Sequence, residues 1–155
     1  MAEKKSLVVY YSYSGNTRKV AQEIQKITNS DIFEIRPLRE YPRNYNDVVN
    51  QAKQEKQNDI KPELAEVGSI EKYDVIYLGT PVWWYTLSSP VKTFLSSHDF
   101  STKTIIPFCT HGGGGASSTY SDMQKLSPNA VFKSGLTTYE DSVKTSEIED
   151  WIRNN

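Results

Sequence analysis

The sequence of 155 residues predicts a doubly wound α/β fold, a five-stranded parallel sheet with helices on both faces. Three observations lead there. Strand-like and helix-like segments alternate along the whole chain, which is the pattern of right-handed crossovers. The strand candidates are short apolar runs rather than alternating ones, as expected of strands covered on both faces. The turns that follow the first, third and fourth strands are all unusual in composition, and ligands in such sheets bind at the carboxyl ends of strands.

Ser6-Leu7-Val8-Val9-Tyr10 is the first strand, and Val20, Ala21, Ile24 and Ile27 then recur at helical spacing. Ile32–Ile35 reads as a second strand ending before Pro37. The Pro-, Arg- and Tyr-rich stretch from Pro37 to Tyr45 is a surface excursion, and 46–57 is a polar helix with Val48, Val49 and Ala52 as a thin apolar stripe. Residues 58–68 read as a loop, and Asp74–Leu78 as a third strand followed by a long aromatic turn. Pro90 suits a first helical turn, in a helix carrying Val91, Phe94 and Leu95. Thr104–Cys109 is the fourth strand and runs into a glycine loop. A helix over 118–126, a fifth strand over 130–136 and a last helix with Ile148, Trp151 and Ile152 on one face complete the chain.

Bulk properties exclude several classes. Lys and Arg number 18 against 19 Asp and Glu, so no global field points to nucleic acid or a membrane surface. The single Cys109 rules out an internal disulfide and fits a reducing cytosol. With His98 and His111 as the only histidines, no metal site is expected. Nothing resembles a signal segment or a transmembrane span, so a cytoplasmic protein of one domain, 1–155, without membrane insertion is expected.

The turn Tyr11-Ser12-Tyr13-Ser14-Gly15-Asn16-Thr17 joins a buried strand to a helix. It offers N–H groups at a helix N-terminus plus the side chains of Ser12, Ser14, Asn16 and Thr17, a set suited to a dianionic phosphate. The plainer alternative is a helix capped by Ser14 or Asn16. The second turn, Gly79-Thr80-Pro81-Val82-Trp83-Trp84-Tyr85-Thr86, holds aromatics that either pack on the body or cover a flat ligand. The third, Thr110-His111-Gly112-Gly113-Gly114-Gly115, leaves backbone bare for close approach, or is simply flexible. Together a phosphate cradle, an aromatic wall and a bare wall describe one ligand, a phosphorylated planar ring.

Ser12-x-Ser14-Gly15-Asn16-Thr17 is similar to the FMN-phosphate loop of the flavodoxins, and the three loops fall in that family's order. Thr80-Pro81-Val82-Trp83-Trp84, Cys109-Thr110-His111-Gly112-Gly113 and the Tyr41-Pro42 to Tyr45 excursion resemble a short bacterial subgroup. The resemblance covers nearly the whole chain and implies strand order 2-1-3-4-5 and noncovalent FMN. It implies that Ser12, Ser14, Gly15, Asn16 and Thr17 hold the phosphate. Thr80, Pro81, Val82, Trp83, Trp84 and Tyr85, with Thr110, His111, Gly112, Gly113 and Gly114, would flank the isoalloxazine, Trp83 stacking on it. Trp84 stands where many flavodoxins have a Gly, and with Trp83 and Tyr85 crowding it that turn is expected to be stiffer than theirs; the third loop has glycines where many of them place a Tyr.

Other readings lack their residues. There is no Gly-x-Gly-x-x-Gly, no Lys after Gly15, no acidic cluster of a receiver domain and no Gly-x-Ser-x-Gly elbow to serve His111-Gly112-Gly113-Gly114. Cys109, ending a strand, reads as inert core. Two functions stay open. One is an electron carrier between partner proteins, as a monomer or homodimer. The other is an FMN-dependent reductase taking hydride from NAD(P)H for a quinone or similar small acceptor.

Overall fold

The computed structural model describes residues 5–155; residues 1–4, on which the expectation of no signal segment falls in part, lie outside the described residues. The elements in order are β1 (Ser6–Tyr10), α1 (Asn16–Thr28), β2 (Asp31–Glu34), α2 (Tyr45–Gln57), β3 (Val75–Trp83), β4 (Thr86–Leu87), α3 (Ser89–Ser96), β5 (Thr104–His111), α4 (Thr119–Leu126), β6 (Val131–Phe132), β7 (Leu136–Tyr139) and α5 (Thr145–Arg153). β1 lies between β2 and β3, β3 pairs with β5, and β5 carries β6 and β7 along its far edge, all in parallel. The fold class and strand order are those the sequence predicts.

Side chains alternate along the strands and send each helix to one face. Leu7, Val9, Ile76, Leu78 and Ile105 face α2, α3 and α4, where they meet Val48, Val91, Phe94, Leu95 and Met123. Val8, Tyr10, Tyr77, Ile106 and Phe108 face α1 and α5, where they meet Val20, Ala21, Ile24, Ile148 and Trp151. Neither face is left to water, which explains the continuous apolar runs. No helix among the described residues is long and apolar enough to cross a membrane.

Apart from shifts of one residue at β2, α2, β3 and α4, three segments differ from the expectation. The fifth strand is not the continuous segment 130–136; it is split into β6 and β7 around Lys133–Gly135. The break serves two aromatic side chains. The Ser134 carbonyl accepts the Trp151 indole N–H at 2.8 Å, and the Tyr120 ring lies where a Cβ on Gly135 would stand, 2.4 Å away. The long aromatic turn after the third strand is instead a continuation of β3 to Trp83, which folds back as the β3–β4 hairpin, pairing Val82 with Leu87 and Trp83 with Thr86. The fourth strand continues two residues past Cys109, so Thr110 and His111 belong to β5 and the loop starts at Gly112.

Candidate functional site

The loop after β1, the β3–β4 hairpin, the glycine loop after β5 and one side of α2 enclose a cavity of about 510 Å³. It lies at the carboxyl ends of the central strands, where the order of chain connection reverses.

The loop after β1 is shaped by its own residues. Gly15, at φ +101°, adopts a left-handed conformation that costs a side-chain-bearing residue energy, and it starts α1 with no side-chain cap. The Ser12 hydroxyl accepts the Gly15 N–H at 3.0 Å, so Ser12 stabilises the turn from below. The first turn of α1 therefore keeps N–H groups without helical partners, and it contains no acidic residue. Ser14 and Asn16 line the cavity there. Arg18, the nearest cation in the chain, is engaged by Glu34 instead. Burial alone would raise the pKa of Glu34, but the hydrogen bonds from Arg18 and Arg36 outweigh it and hold the carboxyl below its usual range.

Thr17 joins two of the loops. It is 1% exposed, and its hydroxyl bonds that of Thr110, 4% exposed, at 2.7 Å. Thr17→Val should destabilise the protein by about 1–3 kcal/mol, because the isosteric change leaves the Thr110 hydroxyl buried without its partner. Urea denaturation is the measurement. In Thr17→Val with Thr110→Val the loss should be smaller than the sum of the singles, whereas strictly additive losses would mean that the two hydroxyls do not interact.

The hairpin wall is tied to α2. Trp84 and Tyr85, at φ 52° and 70°, form the turn, and both left-handed residues carry large side chains. Such turns match the twist of a hairpin but are normally built from Gly and Asn, so other contacts must hold this one. The Trp84 indole N–H donates to the Val49 carbonyl at 2.8 Å, and the Lys56 ammonium donates to the Trp84 carbonyl. The Ser118 N–H donates to the Tyr85 carbonyl at 2.9 Å. Lys53 lies 5.4 Å from the Trp84 ring and Lys56 lies 5.7 Å from the Tyr85 ring. Trp83 is set edge-on against Tyr11, Tyr13 and Tyr41, with centroids 5.5, 6.1 and 5.0 Å away. Behind it the Tyr41 hydroxyl donates to Glu55, 6% exposed, at 2.6 Å, which satisfies a buried carboxylate. Burial and that carboxylate raise the Tyr41 pKa far above its ordinary value, so the phenol stays protonated.

The glycine loop is pinned rather than free. His111 Nδ1 accepts the N–H groups of Gly113 at 3.0 Å and Gly115 at 3.1 Å, so that nitrogen carries no proton. A Cβ on Gly112, Gly114 or Gly115 would meet nothing within 4 Å, which leaves bare backbone on that side of the cavity.

Of the residues singled out in the sequence, Ser14, Asn16, Pro81, Val82, Trp83, Trp84, Tyr85, Thr110, His111, Gly112 and Gly114 line the cavity together. Ser12, Gly15, Thr17, Thr80 and Gly113 stand around it. Thr80, for example, is buried and bonds the Ser88 side chain and backbone at 3.0 Å. Gly115, the last residue of the glycine turn, lines the cavity as well, whereas sequence reasoning missed Tyr13, Tyr45, Val48, Val49, Ala52, Ser117 and Glu140 as lining residues. The apolar stripe of α2 carried a signal for Val48, Val49 and Ala52. Glu140 carried none, since it arrives only through the pairing of β7 with β5.

The family model for flavodoxins matches residues 5–155. The chain belongs to the flavodoxin family. Among solved structures, this flavodoxin is similar to a protein from Bacteroides eggerthii provisionally described as a flavoprotein. Identity is 25% and TM-score 0.88, over 98% of each chain. A similarly described protein from Bacteroides uniformis is 28% identical, with TM-score 0.86, over 98% of this chain and 99% of its own. A flavoprotein from Lactobacillus acidophilus, solved in complex with FMN, is 25% identical, with TM-score 0.79, over 97% of this flavodoxin and 99% of its own chain. No curated protein matches this flavodoxin.

Proposed function

We propose that the protein binds FMN noncovalently in the 510 Å³ cavity and passes electrons between partners. One observation carries this reading. The uncapped start of α1 opens on the same cavity as the aromatic hairpin and the bare glycine backbone, so phosphate donors and ring-sized walls face one space. The residues present fit the group, and the FMN complex of the similar Lactobacillus acidophilus flavoprotein agrees with it. Bound FMN would supply a ring that accepts and releases electrons. Ser14, Asn16 and the first-turn N–H groups would hold its phosphate. Trp83, backed by Tyr11, Tyr13 and Tyr41, would orient the ring, and His111 would keep the glycine backbone in place against it. The buried Cys109 thiol, its pKa raised by burial, takes no part.

The second reading, a reductase using NAD(P)H and a small acceptor, is favoured by the cavity mouth, where Tyr45 and Tyr85 stand exposed and a small molecule would have direct access. Mixing NAD(P)H with the FMN-loaded protein without oxygen separates the two. A carrier keeps its yellow absorbance until a partner protein is added, whereas a reductase bleaches on mixing. Failure to take up FMN at all would overturn both.

A further inference from the structure

We propose that His111 is a pH-operated latch on the glycine wall: a proton taken up at Nδ1 releases Gly112 to Gly115 and weakens the hold on FMN. The latch is a property of the chain, and its effect on FMN rests on the reading above. His111 Nδ1 accepts the N–H groups of both Gly113 and Gly115, at 3.0 and 3.1 Å. Among the described residues, the backbone of Gly112 to Gly115 makes no other hydrogen bond. Gly113 and Gly115 are also left-handed, at φ 134° and 75°. A run of glycines gives up more backbone freedom on ordering than other residues do. One ring nitrogen therefore supplies both of the bonds that offset this cost.

Only the neutral imidazole can do so. Nδ1 accepts while Nε2 carries the proton, and a histidine protonated on both nitrogens has no acceptor left. Three donors would then face one another, the two glycine N–H groups and Nδ1–H, so the ring and the loop must part. Histidine is the side chain whose charge ordinarily changes at physiological pH. The His111 ring is half-buried, edge-on to Tyr139 at 5.8 Å, and within reach of solvent. From β7 and the residue after it come the Tyr139 phenol and the Glu140 carboxylate, and the Glu140 N–H donates to the His111 carbonyl at 2.8 Å. Asp141 is paired with Lys19 of α1. Ser14 and Asn16, and Pro81 and Val82 of β3, line the same cavity without charge, which leaves Glu140 as the only formally charged residue in its lining. The two bonds exist while His111 is neutral. FMN is therefore held at higher pH, and the hold fades as pH falls through the His111 titration.

Proton–nitrogen correlation NMR of the full chain without FMN, from about pH 7.5 down to about pH 5, is the first measurement. The Gly113 and Gly115 amide signals should move with the His111 ring nitrogens at one shared midpoint and lose their protection from hydrogen exchange. In His111→Asn an amide oxygen takes the place of Nδ1 and accepts no proton, so both signals should keep their place and their protection. His98, the only other histidine, lines a separate small cavity. Glycine signals that ignore the ring, that move equally in His111→Asn, or that move with protection kept overturn the proposal. A response abolished by Glu140→Gln would assign the switch to that carboxylate and overturn it too. FMN affinity over the same range is the second measurement. The FMN phosphate itself titrates at roughly pH 6, so part of any loss is common to both proteins. The unmodified protein should lose about tenfold more affinity than His111→Asn. Equal losses would belong to the phosphate and overturn the proposed control of binding. A protein that takes up no FMN even at the higher pH sinks the reading beneath, and the glycine signals then judge the latch alone.

Discussion

Gly79→Ala is expected to destabilise the protein by about 3 kcal/mol. Gly79 lies mid-sheet, opposite Tyr10 of β1 and Phe108 of β5. A Cβ there would stand 2.2, 2.3 and 2.9 Å from three atoms of the Phe108 ring, all well inside contact distance. The ring has little room to yield, being fully buried with Trp151 against it at 6.4 Å. Alanine would also stiffen the unfolded chain, which favours folding by at most about 1 kcal/mol, so the clash wins. Urea denaturation measures the loss, and adding Phe108→Leu should recover part of it by removing the ring atoms concerned. A Gly79→Ala protein as stable as its parent would show that Phe108 does not occupy this place.

The second large effect is on affinity. Riboflavin, which is FMN without its phosphate, should bind about a thousandfold more weakly, since each charge-assisted hydrogen bond contributes about 1.5–3 kcal/mol and at least two would be lost. On the proposed function the donors would be the Ser14 and Asn16 side chains, which line the cavity, and the free N–H groups of α1, whose N-terminal end also favours an anion. Glu140 lines the same cavity and its charge opposes the phosphate, but it is exposed, so solvent and salt screen it. Calorimetry with the two ligands decides the matter. Equal affinities would mean that the start of α1 is an ordinary helix end.

Much of this was legible because burial on both sheet faces writes itself into a chain as apolar runs. Leu7 to Tyr10 and Val75 to Leu78 show it directly. The end of β3 was not legible. Pro81 reads as a turn signal, yet it lies in the strand at the last pair with β5, where a missing N–H is tolerated. Trp84 and Tyr85 are poor residues for left-handed geometry, and only contacts from α2 and Ser118, distant in sequence, hold them there. The same distance hid Glu140, which reaches the cavity through tertiary packing and carries no motif, and hid that Tyr45, at the end of the Tyr41–Tyr45 excursion, lines it too. Thr17 was expected to hold the phosphate, but it does not line the cavity, and its bond to Thr110, 93 residues away, is what the sequence alone leaves unseen.

The glycine that opens α1 has a consequence for the stability of the molecule on its own. Gly is a tolerated N-cap, only about a few tenths of a kcal/mol below Ser, Thr, Asp or Asn, but it brings no side chain to bond the first N–H groups of this helix. Its first turn therefore keeps those N–H groups open to an anion. A ligand held there binds the folded chain alone, and so becomes part of what keeps the protein folded.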